Sequence, residues 1–331
     1  MREQQHENGD VVAVSDADRA LIDALQRDAR QSFTSLAEGI GRSEAYVRRR
    51  VKALVDADVI AITAIADPRV FGLEALAWLG LSVEPARVQA VADTLVDLRQ
   101  IDYAAITTGP LNVMAEAACS TTDDLYELVV LIRSLPGVLR TETFPYLRLL
   151  RQSFAWNRAD GAGASAVRAV PGTALTPLDA GIIRALQRDG RASFRRLGAA
   201  LGVSERVVSA RYARLVEIGA VRVSAVVNPR TLGWRAMAWL GIRIGGGAPF
   251  EQVAARLAEV PELSYLVVAS GRYDLMAEVV CRTPEDLLTT LAHRIGAIDG
   301  VAAVESFYYL RLLYRTTAGA WSAARSLAAP E

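Results

Sequence analysis

Leu21-Ile22-Asp23-Ala24-Leu25-Gln26-Arg27-Asp28-Ala29-Arg30 returns about 160 residues later as Ile182-Ile183-Arg184-Ala185-Leu186-Gln187-Arg188-Asp189-Gly190-Arg191. The match runs on through each half of the chain. Ser32-Phe33 pairs with Ser193-Phe194, Gly41-Arg42-Ser43-Glu44 with Gly202-Val203-Ser204-Glu205, and Ala77-Trp78-Leu79-Gly80 with Ala238-Trp239-Leu240-Gly241. Met114-Ala115-Glu116 with Cys119 pairs with Met276-Ala277-Glu278 with Cys281, and Tyr146-Leu147-Arg148-Leu149-Leu150 with Tyr309-Leu310-Arg311-Leu312-Leu313. The register slips by one residue twice, between Gly80 and Tyr103 and between Leu125 and Gly137, where a loop is expected to absorb the insertion. A repeat of this length is a whole protomer, not a solenoid unit. One chain is therefore expected to do the work of two subunits.

At 331 residues the chain exceeds what one hydrophobic core usually serves, so several domains are expected. No segment offers some 18 uninterrupted apolar residues, and the first ten residues are polar, which reads as a cytoplasmic protein without a membrane partner. Cys119 and Cys281 fall in apolar runs at matching positions and read as small buried hydrophobes. His6 and His293 are far apart, so no metal site and no cofactor are assigned. A formal net charge of zero argues against indiscriminate polyanion binding while leaving room for a local basic face. Lys52 is the only lysine, so arginine carries nearly all the positive charge.

Ser15-Asp16-Ala17-Asp18 and Thr176-Pro177-Leu178-Asp179 each place a hydroxyl at an N-cap and a carboxylate three positions later, which predicts a helix start. Leu21, Ile22 and Leu25, and their counterparts Ile182, Ile183 and Leu186, continue it at amphipathic spacing. A short second helix follows through Leu36, Ala37 and Ile40, or Leu197, Gly198 and Leu201. Gly41 or Gly202 then turns the chain into Ser43 or Ser204, the layout of a helix-turn-helix. The third helix, from Ser43 to about Ala57, buries Val47, Val51 and Leu54. It leaves Glu44, Tyr46, Arg48, Arg49 and Lys52 free, with Arg50 at the edge. Its counterpart buries Val208, Tyr212 and Leu215 and exposes Glu205, Arg206, Ser209 and Arg214, with Arg211 matching Arg50. Such a helix can enter the major groove of double-stranded DNA with its N-terminal residues on base edges and its flanking arginines on phosphates. These residues, with the caps Ser43 and Ser204, form the candidate DNA-binding set.

The pattern Leu36-Ala37, Ile40-Gly41, Ser43, Val47, Arg50-Val51 and Leu54, ending in Val59-Ile60, resembles the DNA-binding motif of the Lrp/AsnC (feast/famine) family of transcriptional regulators. The second copy is similar through Leu197, Leu201-Gly202-Val203-Ser204, Val208, Arg211, Leu215 and Gly219-Ala220-Val221, and departs at Tyr212, where a small aliphatic is usual.

After each helical segment the periodicity changes. Leu76 to Val83 reads as a strand, Val88 to Leu98 as a helix, Tyr103 to Thr107 and Val113 to Cys119 as strands, Asp123 to Ser134 as a helix, and Val138 to Leu149 as a strand. The second copy repeats this order. The expected fold class is α+β, with two copies of a (winged) helix-turn-helix and a ferredoxin-like βαββαβ regulatory domain. The expected boundaries are 1–13 for a flexible tail, 14–67 and 174–228 for the DNA-binding domains, 74–155 and 235–316 for the regulatory domains, 156–173 for a Gly- and Ala-rich linker, and 317–331 for a second tail.

The fold alone implies no function. The resemblance implies an amino-acid or related small-molecule effector near the loop between the second and third regulatory strands. Ser270-Gly271-Arg272-Tyr273-Asp274 carries the family's glycine and acid there, with Asp274 placed to accept from an ammonium group; a plain hairpin turn is the alternative. The first copy has Gly109 and Asn112 at this place, and Asn112 lacks the charge. The effector set is Gly271, Arg272, Tyr273, Asp274, Gly109 and Asn112.

Because the two third helices differ where bases are read, the duplicated chain is expected to form an intrachain pseudo-dimer that prefers two unequal half-sites. Homo-oligomers built from it are a further possibility. The first copy balances its arginines with more acids, so the second is expected to supply more of the salt-dependent affinity, Arg211 included. Two other readings use the same architecture. Siroheme decarboxylases resemble this two-domain protomer and depend on histidine and arginine at the tetrapyrrole, but Ile101-Asp102-Tyr103 and Leu263-Ser264-Tyr265 contain no histidine. A small-molecule sensor that does not bind DNA is the third.

Overall fold

A computed structural model describes residues 14–66, 68–152, 175–228, 231 and 233–314. The two tails and the linker expected from the sequence lie outside the described residues. In the first copy α1 (Asp16–Arg27), α2 (Phe33–Ile40) and α3 (Glu44–Asp56) form the helical segment, followed by β1 (Ile60–Ala66). Then come β2 (Ala75–Val83), α4 (Val88–Asp97), β3 (Ile101–Thr107), β4 (Val113–Cys119), α5 (Thr122–Arg133) and β5 (Val138–Gln152). The second copy repeats this as α6 (Pro177–Arg188), α7 (Phe194–Leu201), α8 (Glu205–Glu217) and β6 (Val221–Val227). It closes with β7 (Ala236–Ile244), α9 (Phe250–Ala258), β8 (Leu263–Ala269), β9 (Leu275–Cys281), α10 (Pro284–Thr289) and β10 (Val301–Tyr314).

The helix starts follow from their caps. Ser15 and Thr176 accept from the amides of Asp18 and Asp179, and both carboxylates return a bond to the cap backbone. Gly41 and Gly202 adopt left-handed φ values of 64° and 69°, which lets each second helix end and reverse into the third.

The strand after each third helix finds its partner in the other copy. β1 and β6 pair antiparallel from Ile60 opposite Val227 to Ala66 opposite Val221. One hydrophobic core then serves both heads, joining Leu21, Ile22, Leu25 and Val47 to Ile182, Ile183, Leu186 and Val208. The regulatory halves join as closely. Each copy forms a four-stranded antiparallel sheet, and β5 pairs with β8 while β10 pairs with β3, closing a barrel in the order β10-β3-β4-β2-β5-β8-β9-β7. Closure removes the two edges that a separate sheet would leave open in each copy. The helices pack outside the barrel over separate cores that contain Cys119 and Cys281, both free and buried. Inside lies an aromatic core that includes Trp78, Tyr103, Phe144, Trp239, Tyr273 and Phe307.

The two register slips are absorbed differently. The first falls in the second copy's loop between β7 and α9, Gly245-Gly246-Gly247-Ala248-Pro249, as a loop insertion should. The second is not in a loop. It widens the helix that continues α10 into a π-helical stretch, Thr290–Ile295, whereas α5 of the first copy stays regular. An extra residue is held there by a wider hydrogen-bonded turn because Leu287 and Ile295 on either side remain in the core.

Candidate nucleic-acid interface and ligand-binding region

The paired heads present α3 and α8 outward as parts of one body. Two reciprocal arginines fasten them. The Arg30 guanidinium donates to the carbonyls of Gly190 and Ala192 at 2.6 and 3.1 Å, and Arg191 donates to those of Ala29 and Gln31 at 2.6 and 2.8 Å. Arg30 also lies 4.3 Å over the ring of Phe194, and Arg191 4.2 Å over that of Phe33. Burial lowers the pKa of both guanidinium groups from the ordinary arginine value. Tyr212 is half-buried, where a core position was expected; its ring packs on Phe194 and lies within 5.3 Å of Arg30, so it serves the junction between heads.

The candidate DNA-binding residues separate into distinct roles. Ser43 and Ser204 are the N-caps of α3 and α8 and accept from the amides of Tyr46 and Val207. Arg50 makes a two-point ion pair with Asp18, at 2.5 and 2.8 Å, which engages its guanidinium within the head. Arg211 faces Asp179 correspondingly but through one nitrogen, Nη1, which lies 3.3 and 3.4 Å from the two carboxylate oxygens. The reason is geometric: the edge of the third helix faces the first turn of the first helix, where the capping carboxylate sits. Burial alone would raise the Asp18 carboxyl, but the bonds from Arg50 and Ser15 outweigh it and hold it below the usual aspartate range.

On the outer face the copies differ. Arg48 is paired with Glu44 at 2.7 Å, Glu44 also accepts from Thr34, and Lys52 is paired with Asp56. Arg49 is exposed and Tyr46 half-buried. In the second copy Glu205, Arg206, Ser209 and Arg214 are all exposed, and neither Arg206 nor Arg214 has an ion-pair partner among the described residues. Sequence reasoning overlooked Arg195 and Arg196, which are exposed on α7 where α2 has Thr34 and Ser35; Arg196 is paired with Asp189, and Arg195 has no ion-pair partner among the described residues. Aligning the copies residue by residue carries this signal.

The hairpin loops of the regulatory copies each reach the other copy. Gly271 approaches Phe144 and Gly109 approaches Phe307. Arg272 lies 3.2 Å from Glu142 of the first copy and 3.8 Å from Glu305 of the second, and Tyr273 donates its hydroxyl to Glu305. The Tyr273 ring is buried against Gly241, leaving no room for a Cβ there. Asp274 accepts from the Ile244 amide at 2.7 Å. Asn112 holds the matching strand end through both the amide and the carbonyl of Val83, at 2.8 Å each. The acid and the amide thus both tie the loop to the end of a neighbouring strand, Asn112 by two bonds and Asp274 by one carboxylate oxygen.

Comparison with known proteins agrees with the two-copy organisation. Residues 15–55 and 175–216 match the AsnC-type helix-turn-helix domain, and residues 76–156 and 236–318 match the Lrp/AsnC ligand binding domain. The HTH-type transcriptional regulator FL11 of Pyrococcus furiosus is 31% identical over 144 residues, 43% of this chain and 94% of that protein. The HTH-type transcriptional regulator Ptr1 of Methanocaldococcus jannaschii is 34% identical over 138 residues, 41% of this chain and 93% of that protein. Each spans about one copy. The crystal structure of the siroheme decarboxylase NirDL has a TM-score of 0.65 at 18% identity, covering 94% of this chain and 96% of that one. At that identity the likeness concerns the fold alone.

Proposed function

The chain belongs to the Lrp/AsnC family, with its helix-turn-helix and ligand-binding domains each present twice in tandem, and from that premise we propose how it works as a DNA-binding transcriptional regulator. α3 and α8 enter successive major grooves as one rigid pair and read two unlike half-sites in a fixed order. The observation that carries this reading is the shared sheet and core of the two heads, which leaves the helices no independent freedom. Glu44, Tyr46 and Arg49 face bases or phosphates in one groove, and Glu205, Arg206, Ser209 and Arg214 do so in the other. The second head supplies more of the counterion release, because its cations are less engaged by its own acids. The regulatory barrel couples a small molecule of the amino-acid class to this head.

The chain acts without catalysis in this reading. No histidine stands at residues 101–103 or 263–265, and His293 is exposed on an outer helix. Selection of random duplexes by the purified chain tests the reading. Enrichment of two unlike half-sites at one spacing is expected. A palindromic motif would mean that like heads pair between chains, and a lack of enrichment would remove DNA from the function.

A further inference from the structure

The barrel interior holds acids that DNA binding leaves without a task. Strand register puts Trp78 opposite Glu116 and Glu116 opposite Tyr103; the second copy repeats this with Trp239, Glu278 and Tyr265. Alternation along β4 and β9 sends Glu116 and Glu278 to the same inner face as Met114 and Met276. Glu116 accepts from the Tyr146 hydroxyl at 2.8 Å and from Tyr265 of the other copy. Glu278 accepts from Tyr309 at 3.0 Å and from Ser264 at 2.5 Å. Glu116 is thus faced by Tyr146, Tyr265, Glu278 and Asp102, which are tyrosines and acids rather than arginines. Burial, with Glu278 adding to it, pushes its carboxyl up to about 7.

Two observations separate this cluster from plain packing. Glu116, Glu278, Tyr146 and Tyr265 keep part of their surface open although protein surrounds them, so the aromatic core does not seal the acids. The Trp78 indole is fully buried and its Nε1–H has no acceptor among the described residues, whereas Trp239 donates to the Tyr103 hydroxyl at 3.2 Å. A buried donor left unmade is costly, and its cost is recovered when a ligand supplies the acceptor.

The geometry points to the barrel interior as a binding site for one small organic cation that also carries a hydrogen-bond acceptor, of the class of amino acids and amines. Its ammonium is held by Glu116 and Glu278 among the faces of Tyr146, Tyr265 and Trp239, and its acceptor takes the Trp78 Nε1–H. This inference rests on the reading of the barrel as ligand-responsive, and it concerns a place in the barrel apart from the hairpin loops that carry Asp274 and Asn112. Because each copy contributes one acid, binding bears directly on how the copies are joined.

The test is calorimetric titration of the full chain at pH 8 with the twenty amino acids, the amines formed from them by decarboxylation, and the N-acetylated amino acids, which lack the ammonium charge. At least one cation of the panel is expected to bind, its N-acetylated counterpart at least tenfold more weakly. Glu116→Gln and Glu278→Gln are each expected to lose at least tenfold in affinity, and Trp78→Phe several-fold, with circular dichroism confirming the fold. Should a glutamine variant fail to fold, Trp78→Phe decides on its own. Equal binding of acetylated and free forms, unchanged affinity in the variants, or no binding by any member overturns the inference. Ligand binding that depends on Arg272 but not on Glu116 would overturn it while leaving the effector reading intact. If DNA affinity is indifferent to every bound member, the effector reading itself fails.

Discussion

Replacing Arg191 by alanine removes two hydrogen bonds from a charged donor to the carbonyls of Ala29 and Gln31, together with the contact over Phe33. Hydrogen bonds to charged groups contribute about 1.5–3 kcal/mol each and a cation over an aromatic face about 1 kcal/mol. Because Arg191 is half-buried, the lower end applies, and the loss is about 3–4 kcal/mol for the head. Arg30→Ala is expected to cost a similar amount through Gly190, Ala192 and Phe194. The two are not independent. Each guanidinium bonds the carbonyls that flank the other arginine in sequence, so each orders the backbone the other needs. A double-mutant cycle is therefore expected to show a coupling of about 1 kcal/mol or more. Urea unfolding followed through far-ultraviolet circular dichroism gives the stability terms. Binding to duplexes whose half-sites are moved apart by half a helical turn gives the functional term, because α3 and α8 keep their separation only while the heads stay locked. Wild type should discriminate strongly against the altered spacing and the double variant weakly. A loss under about 1 kcal/mol in each single variant, or unaltered spacing discrimination in the double variant, would refute the view that these arginines fix the geometry of the DNA-binding pair.

Three further outcomes follow from the same structure. Arg206→Ala and Arg214→Ala should each reduce the slope of log affinity against log salt by about 1, whereas Arg211→Ala, whose guanidinium is held on Asp179, should lower stability and leave that slope unchanged; a changed slope in Arg211→Ala would contradict the assignment. Gly241→Ala puts a methyl 2.5 Å from the rigid Tyr273 ring and should cost about 1–3 kcal/mol in thermal unfolding, while Gly80→Ala meets the end of the Leu111 side chain, which can turn about its own bonds, and should cost less. The Glu116 carboxyl titrates higher in the folded chain than its ordinary 4.5, so the folded state binds the extra proton between about 4.5 and about 7 and its stability falls as pH rises through that window. The change is on the order of 3 kcal/mol, and Glu116→Gln should flatten it, as read from denaturation midpoints between pH 5 and pH 8.

The sequence by itself determined the duplication, the order of elements and most of their ends. Local signals suffice for these. A hydroxyl with a carboxylate three residues on starts α1 and α6, a glycine able to take positive φ ends α2 and α7, and alternation marks the strands. Helical spacing likewise marked Glu44, Arg48, Arg49, Glu205, Arg206, Ser209 and Arg214 as exposed, while Tyr46 and Tyr212, expected free and buried, are both half-buried against the head core. What only the tertiary structure decided is where long-range partners fall. Arg50 and Arg49 are neighbours in an arginine run, and nothing local tells that one meets Asp18 and the other meets solvent. Asp274 has the chemistry of an ammonium ligand, yet its distance to the Ile244 amide exists only after β7 and β9 pair. The role of Glu116 was hidden for the same reason: an acid alternating with methionine on a strand reads as a solvent-facing residue until β5 and β10 close the barrel around it. Periodicity is a property of a segment, whereas closure, ion pairing and desolvation are properties of segments brought together from both copies.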